Sequence, residues 1–272
     1  MSTASGLDTA PGPALAAPTG APLLELAGVG RSYGSGPRAT TALAGVDLAV
    51  HAGRSVGIVG ESGAGKSTLL RLLLALDRPT TGEVRYRGEP LAHRNRAAVR
   101  RFRRDVQIVF QDPRSSLDPR MTIGDVIAEP LRSLRIPGDR RARVAEVLGW
   151  VGLEPDAATR YPAQFSGGQR QRIAIARALA PSPSVLVGDE PVSALDVSVR
   201  EQVMDLLRRL RAELGLTLVL VSHDIAVVGQ LCEDTVVLHD GRVVEAGTTE
   251  QVLTRPQDPY TQRLLTAVPR LP

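Results

Sequence analysis

The sequence predicts an α/β fold built on a largely parallel sheet, and three observations carry that reading. Short apolar runs of strand length alternate with helical stretches along the chain. A glycine-rich loop sits between one such strand and one such helix in "SVGIVGESGAGKSTLL". Near the end, "TVVLHDGRVVEAG" reads as a hairpin turned by Asp240-Gly241. At 272 residues the chain can hold one large domain or a core with a subdomain. Apolar residues at 43% and charged residues at 23% describe an ordinary soluble globular protein.

Residues 1–22, rich in Ala, Pro, Gly and Thr, are expected to form a disordered leader. Periodic structure begins at "LLELAGVG", and the alternating "TTALAGVDLAV" follows as sheet. "SVGIVG" is a short buried strand. "KSTLLRLLLALD" is apolar on most faces, so it reads as a helix sunk against a sheet and ended by Asp77, Pro79 and Gly82. From about Pro113 to Ala180 the periodicity is helical with few β-branched runs, which predicts a helical subdomain inserted in the core. The core resumes with the strand "SVLVGDE", the helix "VSVREQVMDLLRRLRAEL" stopped by Gly215, and the strand "TLVLVSH".

Composition removes several chemistries. The single cysteine, Cys232, excludes an intramolecular disulfide and any multi-cysteine zinc or iron–sulfur site, and its place at the end of an apolar helical stretch predicts a buried, inert thiol. The four histidines show no paired metal-ligand spacing. No run approaches the roughly 18 apolar residues needed to cross a bilayer. The first basic residue is Arg31, so the amino terminus lacks the charged start of a secretory signal, and a cytoplasmic location is expected. A net charge of +4 is modest, and a nucleic-acid partner would require a clustered basic face.

Of the 33 Lys and Arg residues, one alone is lysine, Lys66, and it lies in the glycine-rich loop. "GESGAGKS" matches G-x-x-x-x-G-K-[ST] in the required setting, strand before and helix after. Gly60, Ser62, Gly63 and Gly65 let backbone N–H groups turn inward around phosphate oxygens at the positive end of a helix that continues through Thr68. A compact ammonium reaches the β- and γ-phosphates from within such a loop where a wide guanidinium does not fit. Ser67 can place its hydroxyl on Mg²⁺. The plainer alternative is a strand-to-helix turn that binds nothing. In "SVLVGDEP", Asp189 ends a buried strand where α/β folds place ligands and can hold Mg²⁺, while Glu190 is placed to polarise a water against a γ-phosphate. An acidic pair capping the next helix is the alternative there.

Together with these elements, "QFSGGQRQR" (Gln164 to Arg172) resembles the signature of the ATP-binding subunits of ABC transporters. Ser166 can cap the helix "GGQRQRIAIARALA", leaving amides and the helix dipole facing outward, although a Ser-capped helix with tight glycine packing explains the same residues. The resemblance implies a RecA-like P-loop NTPase core with an antiparallel β subdomain and the inserted helical subdomain over about 113–180, all within an ATPase domain at 23–247, then a tail at 248–272. It implies that two ATPase subunits, the same chain or different ones, pack head to tail around two ATPs. Ser166, Gly167, Gly168 and Gln169 would then face the γ-phosphate held by the opposite subunit, with Asp196 of "SALD" crossing the interface. By the same resemblance Tyr33 in "RSYGSG" stacks on adenine. Gln111 in "VFQDP" touches Mg²⁺ or the attacking water, and His223 in "LVSHD" contacts the γ-phosphate. Lys66, Gln111, Glu190 and His223 are thus the catalytic set, and Ser67, Gln111 and Asp189 the Mg²⁺ set. The lack of a further lysine for guanine reading favours ATP.

Three stretches are similar to the oligopeptide, dipeptide and nickel importers of this group: "VFQDPRSSLDPRMTIGDVIAEPL", "EPVSALDVSV" and the tail "RPQDPYTQRLLTAVP". The tail departs in having Asp258 where a histidine is usual, and Phe165 stands where the general signature has leucine. The implied activity is ATP hydrolysis coupled to peptide uptake. Nickel or another small solute is the alternative cargo, and an exporter ATPase or a soluble ABC ATPase acting on nucleic acid or the ribosome is the alternative class. The implied partners are two transmembrane permease subunits and, indirectly, an extracellular solute-binding protein, at the cytoplasmic face of the membrane; nucleic acid is not among them. The stretch "HRNRAAVRRFRRDVQ" reads first as a solvated helix face, with anionic headgroups or a loop of the membrane subunit as alternative contacts. It has no interleaved aromatic pattern for stacking bases.

Overall fold

The computed structural model describes residues 20–36 and 39–266, so all but the last three residues of the expected leader, and the end of the tail, lie outside the described residues. The chain runs β1 (Leu24–Tyr33), β2 (Thr40–Val50), β3 (Val56–Val59), α1 (Lys66–Leu73), β4 (Thr81–Tyr86), β5 (Glu89–Pro90), α2 (Arg96–Asp105) and β6 (Val106–Val109). A helical stretch follows: α3 (Pro113–Ser116), α4 (Ile123–Ser133), α5 (Arg140–Trp150) and α6 (Gly167–Leu179). The remainder is β7 (Val185–Asp189), α7 (Val197–Leu214), β8 (Thr217–Ser222), α8 (Ile225–Leu231), β9 (Asp234–His239), β10 (Arg242–Thr248), α9 (Thr249–Thr254) and α10 (Pro259–Thr266).

Two sheets form. One is antiparallel, in the order β2-β1-β4-β5; the other has six strands in the order β10-β9-β3-β8-β7-β6. In the second, every neighbouring pair is parallel except β9 with β10. Its strands are apolar in both phases of the two-residue period, which sends side chains to opposite faces. Leu186, Leu218, Leu220 and Val237 enter one core with residues of α4 to α8 such as Ile123, Val147, Ile173, Val203 and Val228. Val187, Val219, Val221, Val236 and Leu238 enter the other, with Leu69 and Leu72 of α1 and Leu24 and Leu26 of the antiparallel sheet. A parallel sheet buried on both faces is the arrangement such continuous runs require.

Local chemistry sets the helix ends. Thr122, Asp139, Ser166 and Asp196 each cap a helix with a side-chain oxygen. Gly215 closes α7 at φ 63°. Asp240 and Gly241 turn the β9–β10 hairpin with φ of 45° and 73°, both positive as a two-residue turn of this hand demands. The helix after the glycine-rich loop is shorter than expected. It ends at Leu73, not at Asp77, because Ala75 adopts φ 52° and the Leu76 amide turns back to donate to the Arg71 carbonyl at 2.8 Å. Asp77 joins sheet to helix instead. It pairs with Arg31 at 2.9 Å and accepts from the Tyr33 hydroxyl at 3.1 Å.

Gly57 of β3 lies against α8. A Cβ there would stand 2.1 Å from Val228 Cγ1. Gly57→Ala is expected to destabilise the protein by about 1–3 kcal/mol in urea unfolding. With Val228→Ala added, the pair should cost less than the two single changes summed. Strictly additive costs would show that Val228 is not the group for which Gly57 leaves room.

Candidate functional site

Because β3, β6, β7 and β8 run in one direction, their carboxyl ends meet at one edge of the sheet. Register makes this concrete: Val59 pairs with Ser222, Asp189 with Val221, and Val109 with Gly188. The loop after Val59, Gln111 after β6, the acidic pair at the end of β7 and His223 after β8 therefore converge. They line a cleft of about 730 Å³, whose wall includes Ser62, Gly63, Gly65, Lys66, Ser67, Thr68, Gln111, Asp189, Glu190 and His223.

The loop is shaped by positive φ at Gly63 (86°) and Gly65 (104°), conformations that L side chains seldom adopt. Gly65 occupies the N-cap position of α1 with no side-chain cap, and the helix ladder begins with Leu69 donating to the Gly65 carbonyl at 2.9 Å. The amides of Lys66, Ser67 and Thr68 precede that first bond, as befits a helix amino terminus that receives an anion. The Lys66 ammonium donates to the carbonyls of Gly60 (2.6 Å) and Glu61 (2.7 Å). Burial lowers its pKa, against the pull of Glu190, Asp189 and Glu61.

Asp189 is part-buried, and burial together with the adjacent Glu190 charge raises its pKa, with Lys66 opposing. Glu190 has a left-handed backbone, φ 47°, in a non-glycine residue. That conformation is held from both sides. Its N–H donates to the Val221 carbonyl at 2.8 Å, and its carbonyl accepts from the Ser193 amide and hydroxyl. Its carboxylate Oε1 lies 2.9 Å from His223 Nδ1. The next residue, Asp224, caps α8 by accepting from the Ala226 amide and pairs with Arg200 at 3.2 Å.

Ser67, Gln111 and Asp189 bring a hydroxyl, an amide oxygen and one carboxylate to the same cleft. Such hard oxygen donors suit a cation like Mg²⁺ that keeps waters and phosphate oxygens among its ligands. Among the described residues no group of three or more His, Cys, Asp or Glu is placed to hold a metal ion.

Other expected residues lie outside this wall. Tyr33 is not part of it; Arg31 lies 4.5 Å over its ring and Asp77 holds its hydroxyl. Gly60 acts from beneath, because a Cβ there would stand 2.3 Å from the Leu238 carbonyl. Ser166 and Gln169 form a reciprocal capping box at the exposed head of α6. Gly167 faces open space, whereas Gly168 packs on Val199 of α7, where a Cβ would meet Cγ1 at 2.4 Å. Asp196 caps α7 from an exposed position. Sequence reasoning missed Thr40, Thr41, Ala42, Asp240 and Gly241, all of which line the cleft. Only Asp240-Gly241 left a signal, and it was legible as a turn alone. Gly241 donates to the Ala64 carbonyl at 3.0 Å, and a Cβ on it would stand 2.6 Å from the Ala42 carbonyl.

A glycine-rich loop at a helix head, facing an acidic pair on a parallel strand two places along the sheet, has the arrangement of a nucleoside-triphosphate site on an α/β core. The family described as ABC transporter matches residues 43–193, and the chain belongs to this family. It is 46% identical to the dipeptide transport ATP-binding protein DppF of Haemophilus influenzae, over 92% of this chain and 79% of that one. It is 45% identical to the oligopeptide transport ATP-binding protein OppF of Lactococcus lactis subsp. lactis, over 85% and 73%. Among solved structures, a dimeric ATP-binding cassette in a post-hydrolysis state bound to ADP and Pi superposes with a TM-score of 0.74 at 37% identity, covering 83% of this chain and 98% of that one.

The Asp189 environment has a measurable consequence. Its folded pKa lies above the ordinary value, so its protonated form contributes stability that is present in acid and lost as pH rises through the folded pKa. Asp189→Asn does not titrate there. The stability advantage of the variant, read as a difference in urea midpoints, is expected to be small in acid and to widen as pH rises through that range. A gap that narrows on the same rise would contradict this reading of the site.

Proposed function

We propose that this chain is the ATP-hydrolysing subunit of a membrane importer that couples hydrolysis to uptake of peptides. The observation that carries the proposal is the cleft itself, in which the phosphate loop, Gln111, the Asp189–Glu190 pair and His223 share one wall. The names of the relatives support the cargo class.

In this reading the loop amides and Lys66 bind the β- and γ-phosphates, and Ser67, Gln111 and Asp189 hold Mg²⁺. When bound, the ion neutralises phosphate charge and orients the oxygens. Glu190 orients a water and takes its proton as the water oxygen attacks the γ-phosphorus. The bond from that phosphorus to the ADP oxygen breaks in line. His223, already beside Glu190, contacts the γ-phosphate and aligns it. Catalysis here is positioning and electrostatics, with no covalent enzyme intermediate.

The signature helix lies outside its own chain's cleft, so its exposed head is offered to a second subunit packed head to tail. Ser166, Gly167, Gly168 and Gln169 would then close the opposite γ-phosphate, and Asp196 would lie at the joint. Beside it Val197 is 75% exposed, an apolar side chain suited to a covered face. The groove of about 550 Å³ beside β6, which exposed Leu76 and Phe110 line together with Arg96, Arg100 and Arg103 of α2, supports a seat there for a membrane subunit. Phe110 adjoins Gln111, so motion in the groove reaches the cleft through one peptide bond. Among the described residues no helix is long and apolar enough to cross a membrane, which suits a subunit docked at the cytoplasmic face by its partners.

Glu190→Gln is expected to retain ATP binding, accumulate as an ATP-bound dimer in size-exclusion chromatography, and lose about 10²-fold or more in turnover. Normal steady-state phosphate release would remove Glu190 as the base. In cells carrying this variant, uptake of a labelled dipeptide should fall while nickel uptake is unchanged. The reverse pattern would make the cargo a metal ion.

A further inference from the structure

The tail after β10 reaches back to the phosphate loop. Glu245 of β10 is buried, and its carboxylate accepts from the amides of Gln257 (2.8 Å) and Asp258 (3.1 Å), which fixes the bend between α9 and α10. Asp258 in turn accepts from the Tyr260 amide at 2.7 Å and so starts α10. The bend aims Tyr260 inward, where it is 6% exposed. Its ring stacks on His239 at the end of β9, with centroids 3.8 Å apart and planes 21° from parallel. Its hydroxyl oxygen accepts from the backbone N–H of Glu61 at 3.0 Å.

Glu61 is the second residue of the phosphate loop, and its carbonyl is one of the two that receive the Lys66 ammonium. One peptide unit of the loop is thus held by the tail at its N–H, and the same residue holds the lysine at its carbonyl. The hairpin turn supplies a second attachment, Gly241 donating to the Ala64 carbonyl at 3.0 Å. Between these two points the Ala64 N–H closes a turn on the Glu61 carbonyl at 3.2 Å, so the position of Glu61 passes directly to the rest of the loop. Gly63 has no neighbour within 4 Å of where a Cβ would stand, and Gly63 and Gly65 are freer in backbone conformation than any other residue type. A loop that must present amides to phosphates loses affinity by whatever it costs to order it on binding.

We propose that Tyr260 is a positioning residue for nucleotide binding: through the Glu61 peptide it holds the phosphate loop and Lys66 in the phosphate-receiving geometry, so that a docked tail helix is a component of the nucleotide site. The inference rests on the cleft being a nucleotide site. It assigns a role to a tail segment that the mechanism above does not use.

The test uses the purified full-length chain and three variants. Tyr260→Phe keeps the ring and its stack on His239 but removes the acceptor for the Glu61 N–H. Tyr260→Leu removes the stack as well. Lys66→Ala tests the nucleotide site itself. For Tyr260→Phe, KM for ATP and Kd for ADP are each expected to rise about 3- to 10-fold, the scale of one lost backbone hydrogen bond, while kcat stays within about twofold. Tyr260→Leu should raise both constants further. A merely structural tail would lower the urea midpoint and leave KM and Kd of the folded protein unchanged, and that result overturns the proposal. So does a fall in kcat at constant KM. If Lys66→Ala binds ADP as tightly as the unaltered chain, the nucleotide-site reading fails and takes the proposal with it. If Lys66→Ala alone loses binding while Tyr260→Phe does not, the site stands and the role of Tyr260 is refuted.

Discussion

The parallel register of β3 with β8, and of β8 with β7, is the constraint on which the rest of the molecule depends. Each strand carries one or two groups of chemical interest just past its last residue, and none is near another in sequence. Lys66, Gln111, Glu190 and His223 become neighbours only because the strands before them end at the same edge. A one-residue slip in any pairing would move a strand's side chains to the opposite face and shift its terminal group along the edge. Apolar side chains in both phases of each strand resist that slip, since both faces are committed to a core.

Within the cleft the charges are arranged at mutual expense. Lys66 is depressed by burial, Asp189 is raised by burial and by Glu190, and each partly relieves the other. Such an arrangement costs stability and is retained where a multiply charged ligand and a cation complete it. The backbone of Glu190 has the same character. A left-handed glutamate is strained, and it is held by the Val221 carbonyl on one side and Ser193 on the other. The strain aims a carboxylate that an extended backbone would point elsewhere.

The cleft is supported from outside the strands as well. The β9–β10 turn enters its wall, the carbonyl of Ala42 lies against both Gly65 and Gly241, and α10 reaches Glu61 through Tyr260. Three segments far apart in the chain therefore brace one short loop. The head of α6 points away from this assembly, its amide ends exposed and its capping box satisfied. In the proposed dimer this exposed head is the part that faces the second subunit.

Much of this was legible in the sequence. The glycine-rich loop, the acidic pair at a strand end, the Ser166 cap, the Gly215 stop and the Asp240-Gly241 turn are local, because each depends on backbone conformations and hydrogen bonds spanning only a few residues. The solitary lysine among arginines marked the phosphate loop for the same reason. Tertiary structure alone decided the rest. It ended α1 at Leu73, using a left-handed Ala75 that no propensity favours, and turned Asp77 from a helix stop into a partner for Arg31 and Tyr33. It brought Thr40, Thr41, Ala42 and Gly241 into the cleft wall. It also gave Tyr260 a partner 199 positions away. Contacts at that separation carry no local signature: the residues that make them are chosen by the packing of sheets and helices between them, which a linear reading of the chain does not contain.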